Sequence, residues 1–181
     1  MSGSPRRERE DASARARALD RAVGVAAGVV AGVMIDEGAV AYLLGRNGTT
    51  KQRLANFSGA RLEIDPRADG GGTVEIIGSD DERRLARICI DITLQQRNNG
   101  KASSSPVKVD LEGLRALGEI THFDVDQSAV GFVLGAKGAT LRQFEKMYRT
   151  FMFFDNDTVV EGGKKRLYIL GTRHATINHK P

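Results

Sequence analysis

The sequence contains no tryptophan, one cysteine and three histidines, and these scarcities exclude several kinds of chemistry. The lone Cys89 has no partner for a disulfide within the chain and cannot supply a thiolate set for zinc. The histidines are not spaced with other ligands as metal sites require, and no Ser-His-Asp or paired-carboxylate pattern stands out. We therefore expect neither an enzyme nor a bound cofactor or metal.

Long hydrophobic runs are also missing. The most apolar stretch, residues 22–35, is shorter than the roughly 20 residues that cross a bilayer, so no membrane association is expected. Acidic residues among the arginines before it argue against a secretory signal or a transit peptide. Cys89, in an apolar periodic run, is interpreted as a buried structural thiol of a reducing compartment. We expect a cytoplasmic or nuclear protein, with an organelle kept as an alternative.

The composition is that of a folded, mildly basic protein. Hydrophobic residues make up 40% of the chain and charged residues 28%, which allows a packed core and argues against wholesale disorder. The formal net charge is +4 and the isoelectric point is near 9.4. This excess fits a polyanionic partner without identifying one.

Two stretches of the chain repeat each other without a gap. They are VAYLLGRNGTTKQRLANFSGARLEID at 40–65 and VGFVLGAKGATLRQFEKMYRTFMFFD at 130–155. Each has an apolar turn, then Gly-x-x-Gly, then a basic amphipathic run and an alternating apolar stretch. The likeness continues into VEIIG (74–78) and LYILG (167–171), and the length difference is confined to a turn-rich loop, where structural repeats accept insertions.

Periodicity predicts the same elements in both units. Each should have a strand, a short helix, a second helix and two further strands. In the first unit these are 29–35, 36–44, 49–57, 60–65 and 73–77, and in the second 119–125, 126–134, 139–148, 150–155 and 165–170. A long third helix is predicted for 79–98, where Ser79 and Glu82 form a capping-box pattern.

This order of elements, with Gly-x-x-Gly between the first two helices, resembles the type I KH (K-homology) domain. The resemblance implies an α+β fold of two β-α-α-β-β-α units, each a three-stranded antiparallel sheet with helices on one face. The expected parts are an N-terminal helical segment, a first KH domain, a linker, and a second KH domain with a truncated third helix: 1–24, 27–97, 98–118 and 119–181. The N-terminal segment is interpreted as the third helix of an upstream unit in a longer multi-KH protein. The alternative is that it fills the empty place in the second unit.

The Gly-x-x-Gly turn can hold a phosphate because glycine permits close backbone approach and the turn opens into a helix with unpaired amides. The resemblance implies binding of single-stranded RNA, with single-stranded DNA as an alternative ligand, along a groove beside each turn. The residues expected to bind in the first unit are Val40, Leu44, Gly45, Arg46, Asn47, Gly48, Lys51, Arg53 and Arg61. Those in the second are Val130, Leu134, Gly135, Ala136, Lys137, Gly138, Arg142 and Lys146.

Several of these residues also have a simpler structural explanation. For the cations of the second helices (Lys51, Arg53, Arg142, Lys146) the alternative is a solvated face, and for the apolar groove residues it is the core. In the second unit, strand alternation places Phe151 and Phe153 on the face away from the helices. These rings could stack on bases, but we favour packing against another domain or chain.

Two functions are therefore weighed. The first is binding of single-stranded RNA in post-transcriptional regulation, where a flexible tether between two weak sites raises the affinity. The second is a protein-interaction or scaffold module with degenerate KH units, which would meet a partner or a second copy through the face of Phe151 and Phe153.

Overall fold

The computed structural model describes residues 32–97, 109–155 and 160–171. The first unit contains three strands and three helices: β1 (Val33–Ile35), α1 (Glu37–Leu44), α2 (Thr49–Ser58), β2 (Arg61–Pro66), β3 (Gly72–Ile77) and α3 (Asp80–Arg97). A short helix α4 (Leu111–Ala116) precedes the second unit. That unit contains β4 (Ile120–Asp126), α5 (Gln127–Leu134), α6 (Ala139–Tyr148), β5 (Thr150–Phe154) and β6 (Lys164–Gly171).

The described strands form two antiparallel sheets of the same topology, with orders β1-β3-β2 and β4-β6-β5. Alternation fixes which side chains face the helices: in β3, Val74 and Ile76 are buried while Glu75 and Ile77 are exposed. The α+β class and the two three-stranded antiparallel sheets are thus confirmed. In each unit the strand that follows the second helix, β2 or β5, lies at one edge of the sheet, on the side of the Gly-x-x-Gly turn.

Helix α3 begins as its sequence predicts. The Glu82 carboxylate accepts from the Ser79 backbone N–H at 2.7 Å, and the Ser79 hydroxyl accepts from the Glu82 N–H at 3.4 Å. The helix is buried on several sides, because it packs on α1 and α2 with one face and meets the second unit with another. Its continuous apolar run from Ile88 to Ile90 is what a helix enclosed in this way requires.

One hydrophobic core extends through both units. It joins Leu54 and Ile88 of the first unit to Phe151 and Leu170 of the second. The rings of Phe57 and Phe151 are 5.9 Å apart between centroids. The two repeats are therefore packed together as one body.

Helix α4 corrects the predicted linker. Val109 and Leu114 are buried in the common core, and the Asp110 carboxylate caps the helix by accepting from the Gly113 N–H at 2.9 Å. Residues 109–118 therefore belong to the packed body. The remainder of the predicted linker lies outside the described residues, as do the N-terminal segment 1–24 and the truncated third helix at 172–181.

The helical layer of the second unit is more open than that of the first. Leu54 and Phe57 of α2 are buried, and the repeat pairs them with Phe144 and Met147 of α6, which are 41% and 60% exposed. Phe132 on α5 is also exposed. Among the described residues, nothing occupies the position in the second unit that α3 holds in the first.

Candidate nucleic-acid interface

The two Gly-x-x-Gly loops, residues 45–48 and 135–138, have the same backbone conformation. Gly45 and Gly135 have φ values of 67° and 68°. Asn47 and Lys137 are both left-handed, with φ of 55° and 53°. The repeat seen in the sequence is therefore also a repeat of loop geometry.

The first glycine of each loop is required by space as well as by its positive φ. A Cβ atom on Gly45 would collide with the Thr50 side chain, and one on Gly135 would collide with that of Thr140. The second glycines are constrained by φ alone, since a Cβ on Gly48 would meet no described atom within 4 Å. Each loop is thus folded tightly onto the first turn of the next helix.

The helices that follow the loops begin in a way that suits an anion. Within the described residues, no side chain caps α2 or α6, and neither helix has an acid in its first turn. The backbone N–H groups of Thr49 and Ala139 already donate to the Arg46 and Ala136 carbonyls, but the positive end of each helix dipole is available to a phosphate. The middle residues of both loops are exposed: Arg46 and Asn47 in one, Ala136 and Lys137 in the other.

The apolar residues expected along the grooves divide between groove and core. Leu44 and Leu134, directly before each loop, are half-buried, as is Val130. Val40 is 8% exposed and belongs to the core cluster of the first unit. The core interpretation therefore holds for Val40, because α1 has to pack its inner face on the sheet.

Of the cations expected on the second helices, some remain accessible. Lys146 is exposed and Lys51 is half-buried. Half of the Arg142 side-chain surface is exposed, and its guanidinium lies 3.5 Å from the Glu145 carboxylate. Arg61 is exposed but lies on the opposite sheet face from buried Leu62. Because the helices lie on the side of Leu62, the structure places Arg61 off the groove.

Arg53 was expected to bind RNA, but its side chain lies between the two units. Its guanidinium donates to both oxygens of Glu145 in the second unit and to the Met152 carbonyl at 2.8 Å. It also lies over the Phe151 ring, 4.1 Å from the centroid. Its charge is therefore used between the units, a role that the surface pattern of α2 alone did not indicate.

The face of Phe151 and Phe153 is buried inside the protein. The two rings are 1% and 7% exposed, and Phe153 stacks on Tyr168 with centroids 5.4 Å apart. The expected packing against another domain is confirmed, with the first unit as the partner. This face is consequently closed to base stacking and to an external protein or second copy.

Sequence reasoning missed a cavity of about 240 Å³ between the units. Its walls include Tyr42, Thr93 and Gln96 of the first unit and Arg142 and Phe154 of the second. Tyr42 interrupts the apolar run of α1 and is the residue in the sequence that could have pointed to this cavity. The packing of α1 and α3 against the second unit could not be predicted from a single sequence.

The described residues contain neither a candidate membrane span nor a candidate metal centre. No helix there is both long and apolar enough to cross a bilayer. No group of three or more histidine, cysteine or carboxylate side chains is placed to hold a metal ion.

The solved structures that are similar to this chain include three from archaea. Dim2p from Pyrococcus horikoshii is 22% identical, with 76% of this chain and 79% of that chain covered and a TM-score of 0.31. A protein of unknown function from Aeropyrum pernix is 15% identical, with 82% and 78% covered and a TM-score of 0.29. The complex of a/eIF2alpha, aDim2p and rRNA from Pyrococcus horikoshii is 19% identical, with 80% and 77% covered and a TM-score of 0.30. No curated protein matches the chain.

The family assignment comes from the sequence. The model of the KH domain matches residues 30–91 and 120–179, which coincide with the two structural units. KH domains are RNA-binding modules that use a Gly-x-x-Gly loop. Because the two matches cover more than half of the sequence, the chain belongs to the KH domain family and contains that domain twice.

Proposed function

We propose that the protein binds single-stranded RNA through both Gly-x-x-Gly loops and the grooves beside them, and acts in post-transcriptional regulation of RNA. The observation that supports this most directly is the pair of loops with equal dihedral angles, each followed by a helix without a side-chain cap. An acid at either loop tip would repel phosphate, and neither tip has one.

Backbone strain at the loop tips supports the same role. Lys137 is held in the left-handed region, which costs a residue with a Cβ about 1–2 kcal/mol. Such strain concentrates at functional sites, where surrounding structure maintains it. Lys137 is exposed at the tip of the loop, so its ammonium group is accessible to a phosphate.

Packing of the two domains changes how the duplication acts. The described part of the connection is anchored in the common core by Val109 and by Leu114 of helix α4, so the two loops are held at a fixed separation. A rigid arrangement lowers the entropy cost of binding one strand in both grooves. The gain in affinity therefore does not depend on a flexible tether between the domains. RNA binding should therefore depend on the spacing between two short sequence elements.

A protein-interaction role remains the second candidate, for a different reason than the sequence suggested. Phe132, Phe144 and Met147 present apolar surface on the helices of the second domain, with Phe132 87% exposed. Large apolar side chains exposed on neighbouring helices are typical of interaction sites. Binding of a protein there would leave both Gly-x-x-Gly loops open.

Fluorescence anisotropy with a pool of short single-stranded RNAs tests the proposal. The variants are Arg46→Asp/Asn47→Asp, Ala136→Asp/Lys137→Asp, and all four changes together. The control is Arg115→Asp/Ala116→Asp on α4, which alters the formal charge by the same amount at exposed positions distant in sequence from both loops.

We expect stepwise loss of affinity in the loop variants and a smaller loss in the control, with unchanged circular dichroism. Wild-type binding should weaken as salt rises, because each neutralised phosphate releases counterions. Loss from the first pair alone would confine binding to the first domain. Absence of wild-type binding, or equal binding by all variants, would refute the proposal and direct attention to the apolar helices of the second domain.

A further inference from the structure

The cavity between the two domains adjoins the groove of the second. Leu134, which lines it, directly precedes Gly135, and Arg142 comes from the helix that follows the loop. Phe154 contributes from β5, the edge strand of its sheet. The cavity is therefore continuous with the elements that form a KH groove.

The first domain lies along the free edge of β5. Arg53 donates to the Met152 carbonyl at 2.8 Å, and the Met152 N–H donates to Glu145 at 2.7 Å, so both backbone groups of Met152 are already paired. Tyr42 of α1 and Gln96 of α3 then form the opposite wall. The second groove is thereby bounded on this side by residues of the first domain.

The charge around the cavity favours an electron-rich ligand. Arg53 and Arg142 both contact the single carboxylate of Glu145, which leaves one positive charge in excess. Partial burial and the neighbouring Arg53 lower the pKa of Arg142 from its ordinary value. A guanidinium remains protonated at neutral pH in this setting and can donate to a base edge or a phosphate.

The size and lining match one nucleotide. A volume of about 240 Å³ is below the roughly 300–1,000 Å³ of drug-sized ligand sites and suits a single heterocycle. Tyr42 and Phe154 supply aromatic rings to the lining, on which a base could stack. The Thr93 hydroxyl donates to the Cys89 carbonyl at 2.6 Å and keeps its capacity to accept, and Gln96 supplies an amide group for a base edge.

We propose that this cavity binds one base of the RNA strand held at residues 135–138, so that Tyr42 and Gln96 of the first domain select a base bound by the second. The inference rests on the proposed function and deepens it, because it assigns base selection to residues outside the second KH unit. The duplicated domain thus supplies part of its neighbour's binding site.

The test compares Tyr42→Ala, Tyr42→Phe and Gln96→Ala with wild type, with Tyr148→Ala as the control at a similarly exposed tyrosine of the second domain. Each protein is titrated with the RNA from the pool that wild type binds most tightly. It is also titrated with variants of that RNA that each carry a different base at one position. Tyr42→Ala should weaken binding about 5- to 150-fold, the effect of losing one base stack, and Tyr42→Phe should retain it. Gln96→Ala should remove discrimination at one RNA position.

A cross-link provides the direct readout. RNA with 5-iodouridine at that position should attach to the peptide that contains Tyr42, as identified by mass spectrometry, and thermal unfolding shows whether each variant is folded. If Tyr42→Ala and Gln96→Ala match wild type while the change at Ala136 and Lys137 abolishes binding, the cavity assignment is refuted and the proposed function stands. If the loop variants also bind like wild type, both fail.

Discussion

Arg53 of the first KH domain and Glu145 of the second form a two-point ion pair between the domains, with N–O distances of 2.5 and 2.9 Å. Only 16% of the arginine side chain and 6% of the glutamate side chain are exposed. Breaking a buried pair by removing one partner leaves an uncompensated charge. The orientation of the two domains is therefore coupled to the stability of the protein.

The first prediction concerns that pair. Glu145→Ala should lower the free energy of unfolding by about 3–5 kcal/mol, because it leaves Arg53 without its carboxylate partner. Arg53→Ala should cost less, since Arg142 still contacts Glu145 at 3.5 Å, and the double variant should lose clearly less than the sum. Urea denaturation measures all three. Arg61→Ala, which removes an exposed pair with Glu63, should cost no more than about 1 kcal/mol. Additive losses for Arg53 and Glu145 would show that the two side chains are not coupled.

The second prediction concerns the common core. Phe151→Ala should cost about 3–5 kcal/mol, since it empties a buried site shared by both domains. Thermal unfolding of wild type and variant should show one transition, because neither domain keeps a complete core alone. Phe123→Ala, at a 58% exposed ring, should have a much smaller effect. Two separate transitions in the wild type would contradict a shared core.

The third prediction uses Cys89 as a probe. The thiol is fully buried in α3, and burial raises its pKa well above 9.0. Iodoacetamide at pH 8 should therefore label it only when the protein opens. The labelling rate should rise with urea in parallel with global unfolding and should increase in Phe151→Ala. Rapid labelling of the folded wild type would show that α3 is not enclosed between the domains.

The fourth prediction concerns acid stability. Hydrogen bonds from Ser79 lower the pKa of Glu82 below 4.5, and the hydrogen-bonded Arg166 lowers that of Asp124 below 3.8. Both carboxylates bind protons more tightly when the chain is unfolded. Their contribution is therefore complete above those ordinary values and is lost as the pH falls through the lowered folded ones. Glu82→Gln and Asp124→Asn should each flatten the decline in stability between about pH 5 and pH 2, measured by urea denaturation. An unchanged slope would exclude these contacts as its source.

The fifth prediction separates stability from function at one loop. Lys137→Gly relieves a left-handed backbone and should leave stability unchanged or raise it by up to about 1 kcal/mol, after the entropy cost of glycine. RNA affinity should fall, and the slope of its salt dependence should decrease by about one phosphate contact. Asn47→Gly should change stability less, because asparagine tolerates this conformation. A stability loss in Lys137→Gly would indicate that the lysine side chain packs on the body.

The sequence predicts local elements far better than it predicts contacts between the repeats. Helix α3 follows from Ser79, Glu82 and its apolar stripe, because capping and periodicity act within a few residues. Arg53 is different, since its position on α2 fits a solvated face until the second domain is placed against it. The composite cavity depends in the same way on packing between segments that are distant in sequence.

The contact between Arg53 and Glu145 spans 92 residues of chain, and this separation has a consequence for synthesis. At about 5–20 residues per second, a ribosome takes roughly 4 to 15 s to proceed from the end of α3 to the end of β6. During that interval the first domain lacks the strands that cover part of its core, and its apolar helix surface is exposed to water and to chaperones. Long-range contacts of this kind also slow folding. The repeat divides the sequence into two halves, but the newly made chain completes its core only when the second half has left the ribosome.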